Sequence, residues 1–289
     1  MPTQQQYTEL CDGEWRLQVL AESWSEALWQ AVARTIGSQP AHKHPQTVRM
    51  ERTDGKSAPD LFLKVFHPPA SLEAVKDFSR GSKAMRFLRQ AVALSAAGFF
   101  VPTVVAAGEE RKGRRLKRAF VLTLEVSGEP APLFLLHRLE GASALAWSEK
   151  RLALESLGRE IRRLHNAGFV HGDLVPSNIF VRRDSGGEFR FYLMDHDRTR
   201  RYPSWFAQSL RQRNLVQLNR LPLPGITLQD RIRFFRAYSG RPDWSRAERG
   251  LLSRLERKTR ERRKEIDAAE STGSFRRLMS WKGEMSAEV

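Results

Sequence analysis

One short stretch constrains the fold of this 289-residue chain more than any other feature. His171-Gly172-Asp173-Leu174 is followed, four positions on, by Asn178, which gives the pattern H-x-D-L-x-x-x-N. Its small and polar residues, together with a proline at 176, favour a loop over a helix or a strand. The fold must therefore present an aspartate and an asparagine from one loop.

Regular elements are predicted on both sides of this loop. Residues 152–167 carry leucine and isoleucine at three- and four-residue steps with charges between them, which predicts a helix with one buried face. After the loop, apolar runs at 179–181 and 189–194 flank a turn at 184–187, and the second run stops at Asp195. This pattern predicts a β-hairpin that ends in an acid.

The residue types at these positions suit phosphoryl transfer. That reaction needs a divalent ion on the nucleotide phosphates, an oriented hydroxyl and neutralisation of developing charge. Asp173 can accept the hydroxyl proton, while Asn178 and Asp195 can supply oxygen ligands to a metal. Asp197 is a second candidate ligand, but the apolar run ends at Asp195. The alternative interpretation is an ordinary Asp/Asn turn without catalytic function.

The first half of the chain favours a mostly antiparallel sheet with one helix. We predict strands at 46–52 and 61–66, joined by a polar turn containing Asp54-Gly55, then a helix over about 72–97 and strands at 103–107 and 119–126. The second strand contains Lys64. After residue 139 the pattern is mainly helical, to about residue 267.

The order of helix, loop, hairpin and aspartate resembles the protein-kinase-like superfamily. By that resemblance Asp173 is the catalytic base, Asn178 and Asp195 hold Mg²⁺, and Lys64 pairs with the phosphates of ATP. The resemblance also implies an interlobe hinge whose backbone binds adenine, formed by Thr123, Leu124, Glu125 and Val126. It predicts an α+β, two-lobed fold with a sheet-rich lobe at 12–122, a hinge at 123–126, a helical lobe at 127–289 and nucleotide in the cleft between the lobes.

Three further segments resemble the lipopolysaccharide kinase (Kdo/WaaP) family: RGSKAMRFLRQAVALSAAGFFVPTVVAAGE, YLMDHDRTRR and RIRFFRAYSG. The resemblance covers about residues 46–240. It implies ATP-dependent phosphorylation of heptose or Kdo in the lipopolysaccharide inner core, at the cytoplasmic face of the inner membrane.

The sequence departs from the kinase pattern at three places. Residues 85–88 contain no glutamate to pair with Lys64, although Glu73 or Asp77 could substitute. No G-x-G-x-x-G precedes the first strand. Gly172 replaces the arginine of H-R-D, and no A-P-E follows, which favours a constitutive small-molecule kinase over a regulated protein kinase. The missing acid also leaves open a weak enzyme, or a pseudokinase that acts as a membrane-surface scaffold.

Composition and charge restrict the partners of the chain. Cys11 is the only cysteine, which excludes an internal disulfide framework, and the first ten residues lack the features of a signal peptide, so we expect a cytoplasmic protein. Residues 91–108 are uncharged, but glycine, proline and polar residues make them a poor membrane span. The net charge of +16 also suits a nucleic-acid binder. No nucleic-acid-binding motif is present, however, and we expect no specific nucleic acid.

The C-terminal region is strongly basic. Residues 246–264 hold nine Lys/Arg and three Glu, and residues 274–283 mix aromatic and basic side chains. One interpretation is a solvated helix that packs on its lobe through leucines. The other is attraction to the anionic inner-membrane surface, where a lipid-linked saccharide acceptor would lie.

Overall fold

The computed structural model describes residues 6–39, 46–51, 59–68, 81–140, 144–203, 205–220, 226–241 and 243–265. The chain forms two compact units. The first, here called the sheet unit, comprises Met1–Val126 and the short segment Asp195–Arg198; the second, the helical unit, comprises Ser127–Met194 and Thr199–Val289. The assignment of these units to functional lobes stays a prediction.

The sheet unit contains an antiparallel six-stranded sheet, with strands β1 (Tyr7–Asp12), β2 (Trp15–Leu20), β3 (Gln46–Met50), β4 (Leu61–Phe66), β5 (Val104–Lys112) and β6 (Arg115–Leu124). Their order across the sheet is β1-β2-β5-β6-β4-β3. The predicted antiparallel sheet is confirmed. β5 and β6 are longer than predicted because their charged ends continue the ladder, where Glu110 and Arg118 pair across the strands. The predicted Asp54-Gly55 turn lies outside the described residues.

A second helix in this unit shows that the expectation of one helix was wrong. Helix α1 (Glu26–Ser38) begins at Ser25, whose side chain accepts a hydrogen bond from the backbone of Leu28. Its buried residues Trp29, Val32 and Ile36 recur at three- and four-residue steps and pack on the sheet core. The β1–β2 hairpin was also missed, although Asp12-Gly13 is a turn signal and Gly13 has φ +55°.

The other helix, α2 (Lys83–Ala96), is shorter than the predicted 72–97. Gly81 has φ +74°, which a right-handed helix does not allow, and the Ser82 side chain caps the helix at the backbone N–H of Met85. The backbone N–H of Ser82 donates to buried Glu109 on β5. A continuous helix through residues 81 and 82 was therefore a wrong prediction, and residues 72–80, with Glu73 and Asp77, lie outside the described part.

The helical unit contains α3 (Ala131–Glu140), α4 (Ala144–Asn166), α5 (Gln208–Leu218), α6 (Leu228–Ser239) and α7 (Arg246–Glu265). Its short strands are β7 (Glu129–Pro130), β8 (Phe169–Val170), β9 (Ile179–Arg183), β10 (Phe189–Leu193) and β11 (Arg200–Arg201). α4 and α6 pack so closely that a Cβ on Gly158 would lie 2.5 Å from the carbonyl oxygen of Phe234.

The predicted helix before the loop and the predicted hairpin after it are both confirmed. α4 ends at Asn166, and Gly168 has φ +86°, as expected of a residue that follows a helix. β9 and β10 pair antiparallel with Phe191 opposite Val181. Over the described residues, no helix is both long enough and apolar enough to cross a membrane.

Candidate active site

In the sheet unit, a lysine and an aspartate 131 positions apart form an ion pair. Lys64 Nζ lies 2.5 Å from Asp195 Oδ1. Leu63 and Val65, on either side of Lys64 in β4, are buried, so strand alternation turns Lys64 to the opposite face. The lysine and aspartate side chains stay 22% and 35% exposed, which leaves both within reach of a polar ligand.

The segment around Asp195 packs on helix α2. Asp195 has φ +52°, the one non-glycine positive φ in the described chain, and a 3₁₀ turn His196–Arg198 follows. The buried ring of His196 lies 4.0 Å from the ring of Phe87, centroid to centroid. The helix therefore meets the segment after Asp195 through an aromatic residue, at the place where the kinase pattern has an acid.

The charges of Lys64 and Asp195 influence the pKa of the nearby Asp197 carboxyl. Burial raises the pKa of the Asp197 carboxyl, and the negative charge of Asp195 raises it further, against opposing effects of Lys64, Arg198 and Lys83. A raised pKa means that Asp197 carries its charge less readily than an exposed aspartate. Since Lys64 bonds directly to Asp195, the geometry favours Asp195 over Asp197 as the carboxylate of this site.

In the helical unit, the loop brings Asp173 and Asn178 together. Asn178 Nδ2 donates to the carbonyl oxygen of Asp173 at 3.0 Å, so the amide oxygen is the atom that could bind a metal. The backbone of Met194 holds the loop at two points: its N–H donates to the carbonyl of Asn178 at 2.9 Å, and its carbonyl lies 2.8 Å from His171 Nε2. Met194 is peptide-bonded to Asp195, so the strand that leads to this acid is fastened to the loop.

Asn214 on α5 supports the loop from the other side. Its Oδ1 accepts from the backbone N–H of His171 at 3.0 Å, and its Nδ2 donates to the His171 carbonyl at 3.1 Å. These two backbone partners fix which end of the amide is oxygen. Because that oxygen can only accept, His165 Nε2, at 3.2 Å, must carry a proton. Tyr238 then donates to His165 Nδ1 at 2.8 Å.

The neutral state of His165 follows from its surroundings. The side chain is buried, and this burial lowers its pKa to about 4, with the positive charge of Arg211 acting in the same direction against the hydrogen bond to Asn214. Burial likewise raises the pKa of Tyr238 to about 12. The support under the loop is therefore uncharged at neutral pH.

Gln217, one helical turn after Asn214, contacts the loop at the aspartate itself. Its Nε2 lies 3.3 Å from the carbonyl of Gly172 and 3.5 Å from Asp173 Oδ1, and its Oε1 lies 3.4 Å from the backbone N–H of Leu174. Sequence reasoning missed Gln217 and Asn214. Both lie in a helix without a marked apolar face, so no periodicity singles them out.

The predicted hinge residues lie at the end of β6 and just beyond it. Thr123 and Leu124 pair with Phe62 and Leu61 of β4. The backbone N–H of Leu124 donates to the Thr103 carbonyl at 2.9 Å, and that of Glu125 donates to the Asp60 carbonyl at 2.7 Å. Adenine would have to displace these bonds to use either N–H group. The role of Thr123, Leu124, Glu125 and Val126 stays a prediction.

The donor chemistry fits Mg²⁺. Asp195 offers a carboxylate and Asn178 an amide oxygen, the hard oxygen donors that Mg²⁺ prefers. Within the described ranges, no cluster of three or more His, Cys, Asp or Glu could hold a metal alone.

A separate cavity of about 420 Å³ in the helical unit has a different character. Its wall is mainly aliphatic and aromatic, from α4, α6 and α7, and includes Leu157, Phe235 and Leu255. The lining also contains Arg231 and Arg260, but both pair with Glu256. A mainly apolar wall whose cations already have a partner does not suit nucleotide phosphates.

The fold belongs to the protein-kinase-like class. A solved structure of WaaP in complex with acyl carrier protein matches with a TM-score of 0.58 and 23% sequence identity, over 82% of this chain and 95% of that chain. The model of the lipopolysaccharide kinase (Kdo/WaaP) family matches residues 76–238, which is more than half of the chain. The chain belongs to this family.

Curated relatives are similar over a shorter stretch. The 3-deoxy-D-manno-octulosonic acid kinases of Xylella fastidiosa strains 9a5c and M12 are each 33% identical over 147 residues, which is 49% of this chain and 49% of the relative. The chain thus spans about half the length of the curated relatives it matches.

Proposed function

We propose that this protein is an ATP-dependent kinase that phosphorylates a sugar hydroxyl, of heptose or Kdo, in the lipopolysaccharide inner core. The observation that carries the proposal is the ion pair between Lys64 and Asp195, two side chains that the kinase pattern assigns to phosphate and metal binding. Family membership supports the reaction class. The names of the relatives favour Kdo over heptose as the acceptor.

Asp173 would act on the acceptor. In the reaction the sugar oxygen forms a bond to the γ-phosphorus, the bond from that phosphorus to the bridging oxygen of ADP breaks, and the hydroxyl proton passes to the Asp173 carboxylate. The carboxylate must be oriented before the hydroxyl arrives. Asn178 and Gln217 hold the backbone and side chain of Asp173 in place.

Lys64 and Asp195 would act on the nucleotide. The ammonium group of Lys64 can pair with phosphate oxygens, and Asp195 and Asn178 would hold Mg²⁺. When bound, Mg²⁺ neutralises charge on the phosphates as the γ-phosphoryl group is transferred. In the protein alone, Lys64 and Asp195 neutralise each other, which keeps two half-buried charges compensated until nucleotide binds.

The pairing also bears on the alternative, a pseudokinase scaffold. The alternative is motivated by the missing acid at residues 85–88. Asp195 holds Lys64 in a defined position without such an acid, which supports a working site.

Peripheral binding to the inner face of the inner membrane is part of the proposal. On α7, Leu255 and Thr259 are buried, which agrees with a helix that packs on its unit. Six exposed cations lie around the rest of the helix, and each would attract anionic lipid at about 1 kcal/mol near the surface. They are Arg249, Arg254, Arg257, Lys258, Arg260 and Arg262.

The test is Mg-ATP consumption with purified core lipopolysaccharide, followed by intact mass of the saccharide. Wild type is expected to add one phosphate, and Asp173→Ala to lose at least about a hundredfold in rate. Asp243→Ala, which removes an exposed aspartate of the same unit, is the matched control and should keep wild-type turnover. Equal turnover in Asp173→Ala would remove that residue from the mechanism. Failure of wild type to bind or consume ATP would favour the scaffold.

A further inference from the structure

The loop before α5 exposes two large aromatic side chains. Trp205 is 81% exposed and Phe206 is 56% exposed, whereas most aromatic residues of the described chain are buried or half-buried. We call Tyr202, Pro203, Trp205 and Phe206 the aromatic loop; residue 204 lies outside the described residues. Tryptophan leaves water readily, so a tryptophan held in solvent indicates an interaction surface.

The base of the aromatic loop is firmly attached. Arg201 pairs with Phe169 in the β11–β8 ladder, and the N–H of Tyr202 donates to the Gly168 carbonyl at 2.8 Å. Gly168 has φ +86°, and a Cβ there would lie 2.8 Å from the Tyr202 carbonyl oxygen. At the other end Ala207 is fully buried. The backbone on both sides of Trp205 is therefore anchored to the rest of the helical unit.

The aromatic rings of the loop pack on one another. Phe206 stacks on Tyr202, with centroids 5.9 Å apart and an angle of 27°, and meets Trp205 edge-on at 5.9 Å. The three rings thus form one continuous apolar surface. A continuous surface of this kind buries more area against a partner than isolated rings would.

All charged residues in the sequence around the aromatic loop are arginines. Residues 198–229 contain six arginines and no aspartate or glutamate: Arg198, Arg200, Arg201, Arg211, Arg213 and Arg220. Arg200 and Arg201, directly before the aromatic loop, are exposed. α5, which begins just after the loop, packs against the basic helix α7. The aromatic loop therefore combines exposed aromatic rings with neighbouring cations, a combination that suits contact with an anionic membrane surface.

We propose that the aromatic loop inserts into the headgroup region of an anionic bilayer, with Trp205 and Phe206 among the upper acyl carbons and Arg200 at the phosphates. Tryptophan prefers this interface because its ring is apolar and its N–H stays hydrated, and arginine is attracted by anionic lipid. The inference deepens the proposed membrane contact and rests on it for a biological role. Vesicle binding, however, is measured without phosphotransfer, so the two can fail separately.

The experiment is sedimentation of the full chain with vesicles of phosphatidylcholine, alone or mixed with phosphatidylglycerol. Trp205→Ser is expected to lower the partition coefficient on mixed vesicles about tenfold, the effect of losing one buried large apolar side chain. Arg200→Gln should lower it about fivefold on mixed vesicles and leave binding to phosphatidylcholine unchanged. Both residues are exposed, and circular dichroism would show that the variants fold.

The matched control is Leu152→Ser. Leu152 is also exposed, at 51%, but lies fourteen residues, about 21 Å of helix, before the end of α4 next to the loop. Its substitution should leave vesicle binding unchanged. The proposal is overturned if wild type does not bind mixed vesicles, if Trp205→Ser binds as wild type does, or if Leu152→Ser loses as much. A soluble dimer that Trp205→Ser dissociates, without vesicle binding, would assign the loop to a second copy instead.

Activity on a detergent-dispersed acceptor separates this inference from the proposed function. Trp205→Ser should phosphorylate a dispersed acceptor as wild type does, since the loop acts only at the bilayer. If no variant is active but vesicle binding still depends on Trp205, the kinase proposal fails and the membrane loop stands.

Discussion

The two units hold their candidate functional groups in opposite ways. In the sheet unit, Lys64 and Asp195 are charged and partly exposed, and each neutralises the other. In the helical unit, the loop that carries Asp173 is supported by the uncharged side chains of Asn214 and His165, which are each 1% exposed. Burying a charge costs several kcal/mol, whereas a hydrogen-bonded neutral group is buried cheaply. Ligand-binding charge therefore stays near solvent, and positioning is done by buried neutral side chains.

The largest effect is expected at the charged pair. Asp195→Asn keeps the shape but removes the charge that faces Lys64, and we expect kcat/KM to fall about a thousandfold, roughly 4 kcal/mol of transition-state stabilisation. Asp197→Asn, two residues on, is the matched variant and should fall less, because Lys64 bonds to Asp195. Steady-state kinetics with Mg-ATP would measure kcat/KM for both variants and show which carboxylate the reaction needs more. A greater loss in Asp197→Asn would reverse the assignment.

Sequence reasoning reached the charged pair and the loop for identifiable reasons. The helix before the loop and the hairpin after it have clear periodicities, and Asp195 ends an apolar run. Lys64 was selected only through the resemblance to kinases, since no local pattern pairs residues 131 positions apart. The structure supplies what that resemblance lacked, a partner for Lys64 among the described residues.

The two side chains of α5 that hydrogen-bond the loop, Asn214 and Gln217, could not be predicted from the sequence. Asn214 and Gln217 are ordinary helix residues in sequence, and their importance depends on which backbone groups of the loop remain to be bonded. That requirement exists only once α5 lies beside the loop. Helix α1 is a different case, because Ser25 and the spacing of Trp29, Val32 and Ile36 were readable signals that were missed.

The buried neutral side chain of His165 is expected to make the stability of the helical unit depend on pH. The pKa of His165 is about 4 in the folded protein and about 6.5 unfolded, so below pH 6.5 the unfolded chain binds a proton that the folded chain does not. Stability from this group is therefore complete above about pH 6.5 and is lost as the pH falls toward 4. The loss should approach about 3 kcal/mol, visible in urea unfolding midpoints.

His165→Gln should flatten this pH dependence, because an amide does not titrate in the range. Asn166→Gln, an exposed substitution at the end of the same helix that changes no titrating group, is the control and should leave the slope as in wild type. An unchanged slope in His165→Gln would mean that the network around Asn214 tolerates a charged histidine.

The smallest effect is expected at Gln217, and it separates positioning from stability. Gln217→Leu removes the contacts to Gly172, Asp173 and Leu174, and the aspartate then samples more orientations. We expect kcat to fall about tenfold, equivalent to about 1.4 kcal/mol, with KM for ATP unchanged, because the nucleotide is held by other residues. Gln208→Leu, at the exposed start of the same helix, should leave kcat unchanged. A rise in KM for ATP at constant kcat would place Gln217 in nucleotide binding. An equal loss of kcat in Gln208→Leu would mean that the Gln217→Leu variant acts only by weakening the helix.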